Sequence, residues 1–195
     1  MTPEPLPLPI ILASASPRRQ ELLELLGIPF EIVPSLADET ASGGGAERVR
    51  TLALRKAEDV ALRMPDRVVL AADTLVCVDD QVLGKPMDER DAERMLSLLS
   101  GRSHHVYTGV CLIAPGRSPT VEVCATTVHF VPLPPAWIAR YIATGEPFGK
   151  AGAYAIQGHA GAFVDRLEGS PTNVIGLPLE TVARMVGELG FALFE

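Results

Sequence analysis

Two consecutive arginines, Arg18 and Arg19, stand where a helix tolerates cations least. The run Ile10 to Ala13 reads as a buried strand and Ser14-Ala15-Ser16 as a tight exit from it. Pro17 then reads as the first residue of a helix capped by Ser16. The first turn of such a helix offers unpaired N–H groups and the positive end of the helix dipole. Each cation placed there is unfavourable by ~0.3–1 kcal/mol, so two in a row point to a bound anion that offsets the repulsion. The competing reading is an ordinary strand-to-helix joint with both arginines solvated. Against it stands the chain's own habit, because Asp88-Glu89-Arg90-Asp91 opens the next clear helix with carboxylates.

Asp73 is the second group with chemical promise. It closes the apolar run Val68 to Ala72 and precedes Thr74-Leu75-Val76, so it reads as a desolvated carboxylate at a strand end. Such a charge is costly unless a metal or a cation compensates it. Hydrogen bonds from loop N–H groups would serve as well, so Asp73 alone decides nothing. Glu39, in Asp38-Glu39-Thr40, is either a metal carboxylate or an ordinary acidic loop residue.

The chain has only three lysines, Lys56, Lys85 and Lys150, against fourteen arginines. Solvated cations are thus mostly written as Arg here, and a retained Lys is a candidate for a compact charge on phosphate. Lys85 sits in Gly-Lys-Pro and Lys150 in Gly-Lys-Ala-Gly, whereas Lys56 lies inside a long helix and reads most plainly as a surface charge. Seven of the seventeen glycines fall between Gly145 and Gly176. They would let backbone approach a ligand closely, though no Walker pattern is present. Cations for phosphates, carboxylates for Mg²⁺ and a glycine-lined slot for a base together suit a nucleoside triphosphate.

Composition narrows the setting. The 195 residues carry a net charge of −7 and 47% hydrophobic residues. The chain can therefore build a substantial core, and general binding to nucleic acid or anionic membrane is disfavoured. No apolar run reaches a membrane span. The opening Met1 to Pro9 is broken by prolines and lacks a basic region, so no secretory signal is expected. Cys77, Cys111 and Cys124 read as buried free thiols of a reducing cytoplasm. The four histidines show no ligand spacing.

The elements alternate. A short extended run at Phe30 to Val33 follows the first helix, and a long helix covers Ala46 to Met64. A strand at Val68 to Ala72 precedes a hairpin, Leu75 to Val78 with Gln81 to Leu83. A helix over residues 89 to 100 comes next. Long strands are expected at Val106 to Ile113 and Val121 to Val131, a helix from Pro134 or Pro135 to Ile142, and a last helix near Leu179 to Leu189. The expected fold class is α/β, a mixed elongated sheet flanked by helices, in one domain (1–195) of two lobes with a cleft between them.

Five segments resemble the Maf family of nucleoside triphosphate pyrophosphatases. They are Leu-Ala-Ser-Ala-Ser-Pro-Arg-Arg-Gln-Glu-Leu-Leu, Ala-Ala-Asp-Thr-Leu-Val, Leu-Gly-Lys-Pro, Gly-Lys-Ala-Gly-Ala-Tyr-Ala-Ile-Gln-Gly and Asn-Val-Ile-Gly-Leu-Pro, and the match runs from about Ile10 to Leu189. The resemblance implies a Maf/ITPase-like fold and a cytoplasmic homodimer. It also implies hydrolysis of a nucleotide between its α- and β-phosphates. Asp73 falls on the family's catalytic carboxylate, and Arg19, Lys56, Lys85 and Glu39 fall on its phosphate and metal positions. Ser14 and Lys150 join them as expected substrate contacts.

Arg18, Thr74 and Gln157 match the branch acting on dTTP and UTP, as distinct from the branch acting on 7-methyl-GTP. A Gln amide offers an acceptor and donors complementary to the N3–H and O4 edge of uracil or thymine. Turned over, the same amide meets cytosine, so Gln157 alone leaves CTP open. The stretch Gly169-Ser170-Pro171 departs from the family, which often carries an aromatic residue after the serine.

The expected reaction is attack of water at the α-phosphorus, with Mg²⁺ or Mn²⁺ on Glu39 and Asp73 and the leaving group neutralised by Arg19, Lys56 and Lys85. Asp73 would be general base, metal ligand or both. Two other classes stay open: a nucleotidyltransferase, and a non-catalytic nucleotide-binding regulator linked to cell division.

Overall fold

The structure is a computed structural model that describes residues 9–190. The opening segment read above for a secretory signal lies, apart from Pro9, outside the described residues. One seven-stranded mixed sheet has the order β2-β1-β3-β5-β6-β7, with β4 paired to β3. Its strands are β1 (Ile10–Leu12), β2 (Phe30–Ile32), β3 (Val69–Val78), β4 (Gln81–Leu83), β5 (Ser103–Ile113), β6 (Thr120–Phe130) and β7 (Val164–Glu168). The helices are α1 (Pro17–Glu24), α2 (Gly45–Arg63), α3 (Glu89–Leu99), α4 (Pro135–Ala143), α5 (Pro171–Ile175) and α6 (Leu179–Glu188). The expected α/β class with a mixed sheet flanked by helices is what the chain forms. No helix among the described residues is long and apolar enough to cross a membrane.

The chain divides into two compact units. Unit 1 is Met1–Asp73, Thr108–Cys124 and Gly176–Glu195; unit 2 is Thr74–Tyr107 and Ala125–Ile175. In unit 1, β1 pairs in parallel with β2 and with β3, and Ile11, Ala13, Val69, Ala71 and Cys111 pack under α2 through Ala53, Ala57 and Val60. The α2 face read from its periodicity is the buried one: Val49, Leu52, Ala53 and Val60 are all within 3% of full burial. A Cβ on Gly109 of β5 would overlap the Val49 carbonyl, so this glycine sets how closely α2 lies on the sheet. In unit 2, Leu96, Leu99, Val106, Val128, Phe130, Ile138, Tyr154 and Phe163 belong to one core.

Several expectations need correction. Asp73 does not end a strand. Residues 69–78 form one continuous strand because the first half pairs with β1 and the second half pairs with β4, so no break falls at the carboxylate. Ser16 occupies the N-cap of α1 but makes no side-chain cap bond; its carbonyl accepts from Arg19 N and Gln20 N instead. Leu25 leaves the expected apolar stripe and is 70% exposed: Leu22, Leu23 and Leu26 share the buried face, and Leu25, still helical in its backbone, falls to one side of it. Cys124 is half-buried beside Glu180, while Cys77 and Cys111 are buried. The cap at Asp88 forms as read, with its side chain accepting from Asp91 N at 2.7 Å.

Candidate active site

Six of the expected site residues, Ser14, Arg18, Arg19, Glu39, Lys56 and Asp73, belong to unit 1. Asp73 is carried by the middle of β3 and Lys56 by the buried side of α2. The Lys56 ammonium lies 2.7 Å from Asp73 Oδ1 and 2.7 Å from Glu39 Oε1. Side-chain exposure is 11% for Lys56, 12% for Asp73 and 68% for Glu39, so a sequestered cation joins one buried carboxylate and one solvated one. The residue-type reading of Lys56 as a plain surface charge is therefore wrong. A helix periodicity shows which face is buried but not that a lysine on it reaches across to a carboxylate.

Arg19 is held in the turn that follows β1. Its Nε donates to the Gly176 carbonyl at 2.8 Å and its Nη1 to Ser14 Oγ at 3.0 Å. Ser14 Oγ also accepts from Ser16 N at 3.3 Å. The strand-to-helix turn is thus organised around one hydroxyl, with the guanidinium laid over it. Burial pulls the Arg19 pKa below the usual arginine value; Asp73 and Glu39 oppose that pull, and Arg18 adds to it. Arg18, partly buried beside it, is also lowered by burial, with Glu21 acting against the shift. Two adjacent cations at a helix start, one of them desolvated, give this turn the electrostatics of an anion site.

Thr74, Lys85, Lys150 and Gln157 belong to unit 2. Lys85 is exposed just after β4. Gly152 N donates to the Gly84 carbonyl at 3.0 Å, which ties the Lys85 segment to the glycine-rich loop. Gly152 has φ +71° and would press a Cβ against Val76 at 3.0 Å, and the fully buried Ala153 that follows is also left-handed at φ +61°. A non-glycine residue held there stores ~1–2 kcal/mol, a cost found most often in loops that serve a ligand. The Lys150 ammonium donates to the Glu146 carbonyl at 2.6 Å. Gln157 is exposed.

Sequence reasoning missed Glu146, Tyr141, His104 and Tyr154. Glu146 Oε2 accepts from His159 Nδ1 at 2.7 Å, and Oε1 from Tyr141 Oη at 2.9 Å. His104 Nε2 and Tyr154 Oη share a buried bond of 2.8 Å, and burial pushes the His104 pKa from 6.5 down to about 3. The one available signal for Glu146 was its place between Gly145, which ends α4 at φ +76°, and Pro147.

The family model for Maf-like proteins matches residues 9–189. The chain belongs to the Maf family. This Maf chain is 50% identical over 188 residues to a dTTP/UTP pyrophosphatase of Anaeromyxobacter sp. (strain Fw109-5), covering 94% of this chain and 91% of the relative. It is 50% identical over 187 residues to a dTTP/UTP pyrophosphatase of Symbiobacterium thermophilum, covering 95% and 96%. Among solved structures, a dITP/XTP pyrophosphatase of Mycobacterium abscessus matches at 18% identity and a TM-score of 0.45, over 64% of the Maf chain and 75% of the other.

Proposed function

We propose that this chain is a nucleoside triphosphate pyrophosphatase that hydrolyses dTTP and UTP to the monophosphate and pyrophosphate. The observation that carries the reading is the 50% identity, over more than nine-tenths of each chain, to two relatives named for that activity. The chemistry of the site residues supports it. Arg19 and Arg18 supply positive charge at a helix start, suited to phosphate oxygens. Lys56 and Lys85 add compact charges for the leaving pyrophosphate, Lys150 a further cation in the glycine-rich loop, and Ser14 a hydroxyl in the same turn as Arg19. Thr74 and Gln157 supply polar groups for the nucleoside end.

The donor set suits a divalent cation. Asp73 and Glu39 are two hard carboxylates that already converge on one cationic group, the Lys56 ammonium, at 2.7 Å each. Among the described residues no set of three His, Cys, Asp or Glu side chains is placed to hold a metal unaided. That count agrees with Mg²⁺ or Mn²⁺, which commonly take one or two carboxylates and complete their shell with substrate phosphates and water. Bound on Asp73 and Glu39, such an ion would neutralise charge on the phosphate oxygens.

The chain's own part in the reaction centres on Asp73. As the carboxylate of the site with the least exposure, it is the group to take a proton from the attacking water. Lys56, 2.7 Å from Asp73 Oδ1, orients that carboxylate before substrate arrives. The family resemblance supports a homodimer working in the cytoplasm, and the net charge of −7 fits a small anionic substrate held locally better than nucleic acid or membrane. Pyrophosphate release from the common nucleoside triphosphates, with Mg²⁺ or Mn²⁺, tests the proposal. Rapid turnover of dTTP and UTP above the purine nucleotides is expected, and turnover confined to purine nucleotides would overturn the substrate assignment.

A further inference from the structure

Gln157 sits in a turn whose two flanks are pinned by one pair of side chains. Tyr141, buried on α4, donates its hydroxyl proton to Glu146 Oε1 at 2.9 Å and accepts from Ala155 N at 3.2 Å. Ala155 lies two residues before Gln157. Glu146 Oε2 accepts from His159 N at 3.1 Å and from His159 Nδ1 at 2.7 Å, two residues after Gln157. Glu146 Oε1 takes a further, longer bond from Ala160 N at 3.4 Å.

The turn between these pins has little freedom. Gly158 N donates to the Ala155 carbonyl at 3.0 Å, and Gly161 N to the Gly158 carbonyl at 3.0 Å. A Cβ on Gly158 would overlap the Glu146 carboxylate, so that residue packs against the carboxylate with no room to spare. An ionised carboxylate is an acceptor only, and this one meets four donors. Burial works to raise the Glu146 pKa, but the bonds from His159, Tyr141 and Ala160 outweigh it and the group lies below its ordinary value. Gln157 itself is exposed, and its amide has no hydrogen-bond partner among the described residues.

We propose that Tyr141 and Glu146 are positioning residues that fix the backbone on both sides of Gln157 and thereby set which nucleobase is accepted. The proposal rests on the reading of the chain as a dTTP/UTP pyrophosphatase with Gln157 as the side chain that meets the base. Amide recognition is directional: the acceptor and donors must face the base edge together, and a displacement of the backbone spoils both at once. A hydroxyl that bonds Ala155 on one flank and a carboxylate that bonds His159 and Ala160 on the other hold the Gln157 Cα from both directions. Neither side chain needs to touch substrate.

The test compares wild type, Y141F, E146Q, Q157A and the double variant E146Q/Q157A on dTTP, UTP and dGTP. Y141F removes one donor and one acceptor while keeping the buried ring. E146Q sets an NH₂ against N–H donors without changing shape. Both are expected to raise the KM for dTTP about tenfold and to lower the dTTP-over-dGTP preference similarly, with the dTTP kcat within about threefold of wild type. The double variant should be no worse than Q157A alone, because all these changes act through one contact. Wild-type KM and preference in a folded Y141F, or losses that multiply in the double variant, would overturn the proposal alone. Y141F decides the matter if E146Q does not fold. Wild-type protein that hydrolyses neither dTTP nor UTP would instead overturn the functional reading on which the proposal stands.

Discussion

Lys56 Nζ and Asp73 Oδ1 lie 2.7 Å apart, joining a helix to the middle of a strand 17 positions along the chain. Both side chains are close to nine-tenths buried, so the pair is shielded from the screening that makes exposed ion pairs weak. K56M should strand the Asp73 carboxylate without its counter-charge, at roughly 3 kcal/mol of stability by denaturant titration. Turnover should fall by at least about a hundredfold, because the cation proposed above for the leaving pyrophosphate is lost as well. The Glu39 arm of the same bridge is largely solvated, and E39Q should cost little stability while lowering activity.

Gly109 is expected to matter as much as a catalytic side chain. A methyl group there would overlap the Val49 carbonyl, which backbone cannot easily vacate. G109A should therefore lift α2 from the sheet, at about 2–3 kcal/mol. Because α2 carries Lys56, turnover should fall with it, and thermal melting alongside kinetics separates this variant from those that lose activity alone.

Arg19 uses its fork for two different partners, the Gly176 carbonyl and Ser14 Oγ. A lysine keeps the charge and loses that geometry, so R19K should lose about ten- to a hundredfold in kcat/KM. S14A removes the hydroxyl contact while leaving the one to the Gly176 carbonyl, and should lose less. Steady-state kinetics on the two variants checks the order.

His104 makes a pH prediction with a definite sign. Its folded pKa is depressed from 6.5 to about 3, so below pH 6.5 the unfolded chain takes a proton that the folded chain refuses. Stability should fall as pH drops from 6.5 towards 3, by up to ~1.4 kcal/mol per pH unit from this group. H104F should flatten that part of the profile. It should also cost about 1–3 kcal/mol at neutral pH, by leaving the Tyr154 hydroxyl buried without its partner. Denaturation curves for both proteins across that pH range give the comparison.

The strand–turn–helix around Ser14, the α2 face and the Asp88 cap were legible because each is decided by residues a few positions apart. Continuity of β3 through Asp73 was not, since it depends on β1 and β4 supplying partners to its two halves. The same holds for β7, a five-residue strand, half-buried only at Val164 and Leu167, defined by its antiparallel pairing with β6. Lys56 and Glu146 were misread or missed for one reason. A single charge on a helix or in a loop looks alike in sequence whether it meets water or a partner far along the chain. Only the partners, Asp73 for one and Tyr141 with His159 for the other, distinguish them.

The measurement that bears most directly on the central claim is the release of pyrophosphate and monophosphate from dTTP and UTP, wild type beside D73N. The asparagine keeps the shape of the side chain and removes its capacity to take a proton. Rapid wild-type hydrolysis, reduced by several orders of magnitude in a folded D73N, is the predicted result. Hydrolysis by D73N close to that of wild type would contradict the assignment of Asp73. A wild-type protein that binds these nucleotides without cleaving them would contradict the enzyme reading altogether.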